Sequence, residues 1–187
     1  MSSQIENITD RRLDSRRTAD DLHIRIVGKS ISAVTYLATD YLNHFNEVIM
    51  LLDMIVDMPD LIEELCVWQP KDYITHFKHS GLSDQDLIIE AYLAATPEDR
   101  NTLLAITTEM ESIIKGSIDA ALVDGQPIDE ISLTMLCSTT TEKLRERINL
   151  ASGVINSGAA SVADHHNIAL THTSINDTQA TVDILFD

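Results

Sequence analysis

Apolar residues recur at steps of three and four through residues 18–58, and the pattern lasts for about four heptads. This spacing is typical of a helix that packs in a bundle or a coiled coil. Pro59 ends the pattern, because the residue before a proline is driven out of the α region. The sequence thus predicts one helix of roughly 60 Å, at 1.5 Å per residue, and an elongated bundle or a dimer to accommodate it. The apolar positions are Ile24, Val27, Ile31, Val34, Ala38, Tyr41, Phe45, Val48, Leu52 and Ile55.

Start and stop signals divide the next hundred residues into further helices. Short helices are predicted over 60–68 and 71–79, and another begins at Ser83. Thr96 as N-cap with Pro97 at the first position predicts a helix to about Val123. Pro127 opens a last helix to about Asn156. Its apolar positions include Ile131, Met135, Leu144, Ile148, Ala151 and Ile155, and Met50, Met54 and Met58 on the first helix are interpreted as core residues.

Periodicity is lost at both ends of this helical region. Residues 1–17 are polar, and residues 157–177 have no core-forming pattern, which predicts a linker with a reach of about 25 Å. Residues 178–187 form a short amphipathic, acidic segment after it. A tethered segment of this kind is suited to docking in the groove of another protein. We therefore expect an all-α protein with a four-helix-like bundle over 18–156, possible dimerisation, and a C-terminal docking peptide.

Composition and charge support a helical protein and exclude several partners. Hydrophobic residues make up 44% of the 187 residues and aromatic residues only 4%. The net charge of −17 repels phosphate backbones and anionic lipid, so binding to nucleic acid or to a membrane surface is not expected. Cys66 and Cys137 lie far apart in apolar stretches and are predicted to be free thiols. With no apolar run of about 18 residues, we expect a cytoplasmic protein.

The C-terminal segment resembles a known docking peptide. The motor-switch protein FliM and the chemotaxis phosphatase CheZ carry the pattern Ser-Gln-x-x-Val/Ile-Asp-x-Leu-Leu, which binds the phosphorylated response regulator CheY. Here Thr178 replaces the serine. The order of helical body, linker and docking peptide is also similar to that of CheZ. The resemblance implies a CheY-like partner that is contacted through Gln179, Val182, Asp183, Leu185 and Phe186.

A polar cluster on the first helix is the main candidate for chemistry. Asp40, Asn43, His44 and Glu47 fall at i, i+3, i+4 and i+7, so they share one face. Phosphatases of CheY-like receivers need an acid that contacts the receiver's lysine and an amide that orients a water molecule. CheZ uses Asp-x-x-x-Gln, which is absent from this chain, whereas CheC and CheX use Glu/Asp-x-x-Asn, which Asp40 and Asn43 match. The receiver supplies Mg²⁺, so no cofactor of the protein itself is expected.

The same spacing occurs elsewhere and leaves alternatives open. Glu146 with Asn149, and Glu98 with Asn101, match the pattern equally well. His23 and His44 are candidate phosphate carriers of a histidine phosphotransfer protein. His76 and His79 could ligate a metal ion from one helical turn, although no third ligand is evident.

These observations together favour a chemotaxis or flagellar-motility protein that binds a phosphorylated receiver and promotes hydrolysis of its aspartyl phosphate. Asp40 would contact the receiver's lysine, Asn43 would orient the water, and His44 and Glu47 would support them. The alternatives are a non-catalytic receiver-binding adaptor or phosphate sink, and a histidine phosphotransfer protein.

Overall fold

The computed structural model describes residues 21–162, and this part of the chain is mostly α-helical. The prediction of an all-α protein is confirmed there, with one small β-hairpin in addition. No helix within these residues is long and apolar enough to cross a membrane. The elements are α1 (residues 21–26), α2 (Asn43–Ile55), α3 (Ile62–Cys66), α4 (Tyr73–Lys78), α5 (Gln85–Ala94), α6 (Pro97–Ala121), β1 (Leu122–Val123), β2 (Gln126–Pro127) and α7 (Glu130–Ser157), with 3₁₀ turns at Thr39–Leu42 and Pro59–Leu61.

The prediction of a single helix over residues 18–58 is wrong. The helical segment α1 ends before Gly28, which has a φ of 77°, and Ile31 then pairs with Ala38 in an isolated antiparallel bridge. Residues 30–35 are Ser-Ile-Ser-Ala-Val-Thr, and serine and β-branched residues have a low helix propensity. Residues 21–58 therefore do not form one helix of about 60 Å. The apolar positions that this helix would have buried are exposed at Ile24 (72%), Val27 (68%) and Val34 (69%).

Three longer helices form most of the core. Helix α6 packs along α7, and α7 packs against α2. The predicted apolar stripe is correct from Ala38 to Ile55, where every third or fourth residue is buried. Burial of one such side chain contributes about 1.5–3 kcal/mol relative to its exposure to water. The largest fully buried side chains on these three helices are Phe45, Leu52, Ile55, Met110, Ile114, Leu144 and Ile155.

Other apolar positions were assigned to the wrong face. On α7, Ile131 and Met135 are 75% and 66% exposed, whereas Leu133 and Cys137 are buried. The three methionines predicted to fill the core are also exposed, by 42–63%. Both stretches have apolar residues on more than one face, so periodicity alone could not select the packed one. These methionines are Met50, Met54 and Met58.

A tight hairpin connects α6 to α7. Val123 pairs with Gln126, and Asp124 and Gly125 between them have φ values of 52° and 76°. Positive φ at both central residues is the geometry of a type I′ turn, for which Asp-Gly is a preferred sequence. Helix α7 consequently begins after its N-cap Asp129, not at Pro127 as predicted. The Thr96 cap and Pro97 start of α6 are confirmed.

The end of α7 is fixed to the body of the protein. Thr35 Oγ1 donates a hydrogen bond to the carbonyl of Ile155, and the Ala159 N–H donates to Asp99 Oδ1 at 2.7 Å. Gly158 between them has a φ of 88°, and residues 160–162 are helical again. The segment predicted as a linker begins at residue 157, which is the last residue of α7. Residues 163–177 of that segment lie outside the described residues.

Candidate functional site

The N-terminal turns of α2 carry the predicted site residues. Tyr41 and Phe45 are buried on one side of this segment. Because the side chains around a helix diverge by about 100° per residue, Asn43 and Glu47 are left exposed on the opposite side. Asp40, in the preceding 3₁₀ turn, is half-buried beside them. The predicted placement of these residues on one face is therefore found.

These residues line one open cleft, which we call the α2–α4 cleft. Its volume is about 330 Å³. Lys71, immediately before α4, and residues of α4 and the loop after it supply the opposite wall. All four residues predicted to be catalytic contribute to it. The lining consists of Asp40, Asn43, His44, Glu47, Lys71, His76, His79, Ser80 and Leu82.

Two tyrosine hydroxyls hold the two walls of the cleft together. Tyr41 donates a hydrogen bond to the carbonyl of Lys71 at 3.0 Å, and Tyr73 accepts one from the Ala38 N–H at 2.7 Å. Burial raises the pKa of Tyr41 to about 12, so its hydroxyl stays protonated and able to donate at neutral pH. The Asp72 carboxylate caps α4 by accepting from the Thr75 N–H. The position of Lys71 relative to α2 is thus set by buried contacts.

His44 is the deepest residue of the cleft. It is only 4% exposed, and its ring stacks on Trp68 with the centroids 4.9 Å apart. Its Nε2 atom has no hydrogen-bond partner among residues 21–162. Burial, followed by the positive charges of Lys71 and His76, lowers the pKa of His44 to about 4, against a weaker opposing effect of the Gln69 carbonyl. His44 is therefore neutral at pH 7.

His76 lies beside His44 in the same cleft, with 5.9 Å between the ring centroids. Burial and then the charge of Lys71 lower the pKa of His76, while Glu47 and Asp40 act in the opposite direction. The cleft thus brings the rings of His44 and His76 together with the side chains of Asp40, Glu47 and Lys71. No group of three or more His, Cys, Asp or Glu in the described residues is arranged to hold a metal ion.

The polar groups at the cleft mouth are available to a partner. Asp40, Asn43 and Glu47 make no side-chain hydrogen bond or ion pair with the described part of the chain. An exposed amide and a half-buried carboxylate without partners can both bind groups of another molecule. The cleft can therefore position a water molecule and accept a cation without first breaking internal contacts.

The other sequence candidates lie apart from this cleft. Glu146 and Asn149 are exposed on α7, and Asn101 is exposed near the start of α6. His23 is exposed on α1, with its Nδ1 3.5 Å from the Tyr36 hydroxyl. None of these residues lines the cleft. The residues of the predicted docking peptide, 178–187, lie outside the described part of the chain.

Sequence reasoning did not predict Lys71 and Trp68 as parts of this site. Both lie in the irregular stretch between α3 and α4, where no periodicity relates them to α2. Trp68 is the one tryptophan of the chain, and this was the only signal that could have drawn attention to it. His76 was considered only as a metal ligand.

Comparisons with models of known protein families, with curated protein sequences and with solved structures found no match for this chain.

Proposed function

We propose that this protein binds a phosphorylated, CheY-like receiver and speeds hydrolysis of its aspartyl phosphate at the α2–α4 cleft. The observation that carries this proposal is the joint position of Asp40 and Asn43 on one open cleft, with the Asn43 amide exposed at its mouth. An acid and an amide one helical turn apart are the two groups that receiver phosphatases require.

The reaction needs positioning more than it needs new chemistry. In the receiver, a water oxygen attacks the phosphorus atom while the bond from phosphorus to the aspartyl oxygen breaks, releasing inorganic phosphate and restoring the carboxylate. Asn43 would hold that water in line with the breaking bond, and Asp40 would pair with the receiver's lysine. The receiver contributes the Mg²⁺ that neutralises the phosphoryl oxygens.

The remaining cleft residues would support these two groups. His44 would keep the start of α2 in place, since its ring is buried and stacks on the half-buried Trp68. Glu47 extends the acidic side of the cleft by one turn. Lys71 offsets the charges of Asp40 and Glu47, which lowers the repulsion that an anionic phosphoryl group would meet.

The predicted docking peptide would supply affinity. If residues 178–187 bind the receiver, contact between the receiver and the cleft becomes intramolecular, at an effective concentration of order millimolar. A shallow cleft with few contacts could then suffice for catalysis.

Phosphotransfer to His44 is disfavoured, because its ring is only 4% exposed.

The test is phosphate release from CheY-like receivers phosphorylated with acetyl phosphate and Mg²⁺. We expect faster release with the wild-type protein and a loss on the order of 10²-fold with Asn43→Ala, by analogy with other positioned donors. Asn149→Ala is the matched control, since Asn149 is exposed on α7 at the same spacing from an acid. Full activity of Asn43→Ala would contradict the assignment of the site.

Deletion of residues 178–187 tests the docking peptide separately. The truncated protein should bind the phosphorylated receiver at least tenfold more weakly and should release phosphate slowly at low protein concentration. If the full-length protein binds the phosphorylated receiver but leaves its rate of phosphate release unchanged, a non-catalytic adaptor is favoured instead. Acid-labile phosphate on His23 would favour a phosphotransfer protein.

A further inference from the structure

A second and larger cleft lies on the other side of Trp68. It has a volume of about 530 Å³ and is formed by the loop after α3 and by the outward face of α6. Its apolar surface includes Trp68, Pro70 and Ile118. This size is within the range of small-molecule sites, which combine an apolar lining with a few polar groups. None of its residues was predicted from the sequence to be functional.

Three charged residues of alternating sign line the α6 wall of this cleft. Glu111, Lys115 and Asp119 follow each other at intervals of four residues, so they lie on one face of the helix. A Glu four residues before a Lys is the arrangement that most often pairs on a helix. Within residues 21–162, however, Lys115 has no carboxylate within ion-pair distance. All three charges therefore face the cleft without an internal partner.

Glu111 is the least exposed of the three charged residues, because its side chain is half-buried while Lys115 and Asp119 are exposed. Burial, and secondarily the charge of Asp72, raises the pKa of Glu111. A cation bound beside Glu111 would supply the opposite charge that this carboxylate lacks within residues 21–162.

We propose that this cleft binds a small zwitterion of the α-amino-acid class with an apolar side chain. Its ammonium group contacts Glu111, its carboxylate contacts Lys115, and its side chain packs on Trp68. A simple cation would be repelled by Lys115, and a simple anion by the two carboxylates. A zwitterion compensates both signs of charge at once. This binding site is independent of the receiver phosphatase function proposed above.

Trp68 provides a direct readout, because it is the only tryptophan in the chain. L-leucine, L-methionine and L-phenylalanine are titrated into the full-length protein while tryptophan emission is followed. We expect a saturable change with at least one of them. For leucine, 4-methylpentanoate lacks the ammonium group and isoamylamine lacks the carboxylate, and each should bind at least about tenfold more weakly. For methionine and phenylalanine, the corresponding compounds that lack the ammonium group or the carboxylate are the controls.

Variants test the assignment of the charged residues. Lys115→Met should weaken amino-acid binding at least about tenfold while improving or preserving binding of the amine, and Glu111→Gln should have the reverse preference. Lys78→Met, which removes an exposed charge outside this cleft, is the matched control. The proposal is overturned if none of the three amino acids changes the emission or the α6 amide NMR shifts up to 10 mM (about the weakest binding of interest). Equal affinity for the amino acid and its amine would also overturn it.

Discussion

His44 shows how one buried side chain ties the candidate site to the stability of the fold. In the unfolded chain its ring titrates at the ordinary pKa of 6.5, whereas burial keeps the folded ring neutral down to a pKa of about 4. Below pH 6.5 the unfolded state thus binds a proton that the folded state does not. The free energy of unfolding contributed by this residue therefore falls as the pH drops from 6.5 to 4, and is constant below.

We expect His44→Gln to weaken this pH dependence. Urea unfolding of the wild-type protein and the variant between pH 7.5 and 4.5 measures it, and the wild-type should lose more stability over that interval. His79→Gln, which changes an exposed histidine of the same cleft, is the control. Superimposable pH profiles for wild-type and His44→Gln would show that the ring is not held neutral by its surroundings.

For single residues of the cleft, the sequence predicted which of them share a face but not how deeply each one is buried. The spacing of Asp40, Asn43 and Glu47 was enough to place them together. It could not show that His44 is buried, because the burial comes from Trp68, which is distant in sequence and lies in an irregular segment. Depth in a cleft depends on tertiary contacts, and a pattern within one helix does not contain them.

Two glycines on different elements have opposite consequences for stability. Gly116 is within α6 and a Cβ there would meet no atom within 4 Å, so Gly116→Ala should raise the free energy of unfolding by about 0.5–1 kcal/mol. Gly158 has a φ of 88°, and a Cβ would come 3.2 Å from Asp99 Oδ1. Gly158→Ala should therefore lower the free energy of unfolding by about 1–3 kcal/mol. Chemical denaturation of the two variants gives both signs, and stabilisation by both would contradict the geometry at residue 158.

Asp129 caps its helix directly, whereas Asp99 acts through another residue. The Asp129 carboxylate accepts from the Ser132 N–H in the first turn of α7, while the Asp99 carboxylate accepts from the Thr96 hydroxyl and from the Ala159 N–H. In α6 the backbone cap is made through the Thr96 hydroxyl, which donates to Asp99 Oδ2 at 2.7 Å. Asp99 therefore acts by positioning that cap and by fixing the end of α7.

Asp129→Ala should lower the free energy of unfolding by about 1 kcal/mol, the usual cost of a lost cap. Asp99→Ala should cost more, because the part-buried Ala159 N–H is left without an acceptor in addition to the disturbed Thr96 cap, adding about 1–3 kcal/mol. Urea denaturation of both variants measures the difference. In hydrogen exchange, only Asp99→Ala should expose the amides near residue 159. Equal destabilisation, with unchanged exchange there, would mean that the contact with Asp99 does not hold the end of α7.

The start of α6 was more predictable than the turns between the helices. Thr96 with Pro97 is a local signal and was interpreted correctly, whereas the Asp124-Gly125 hairpin was missed although that dipeptide is a known turn signal. The break after Gly28 was missed because apolar residues continued at helical spacing on both sides of it. A periodic pattern shows where a helix could be buried, and local propensity decides where it stops.

The net charge of −17 acts on the molecule as a whole. Carboxylates repel one another across a folded surface, and this repulsion falls as salt shortens the Debye length from about 30 Å at 0.01 M to 10 Å at 0.1 M. Glu142 and Lys143 are adjacent, exposed residues of α7 and so offer opposite changes at one place. We expect Glu142→Lys to stabilise the protein and Lys143→Glu to destabilise it, by up to about 0.5 kcal/mol each.

Melting temperatures in 20 mM and 500 mM NaCl (about 20 Å and 4 Å of Debye length) provide the measurement. The two variants should differ in low salt and converge in high salt, where the wild-type should also melt at a higher temperature. A difference in melting temperature between the variants that persists in high salt would indicate a local contact at these positions instead of long-range repulsion among the carboxylates.

The packing of α2 on α7 also has a consequence for the order in which the protein is made. Helix α2 leaves the ribosome early, but the side-chain contacts that bind it to α7 join residues separated by 88 and 92 positions. At about 5–20 residues per second, the partner helix is completed roughly 5–20 s after α2. For that interval the apolar stripe from Phe45 to Ile55 has no α7 to cover it. During this period the uncovered apolar stripe of α2 can bind other apolar surfaces, including those of chaperones.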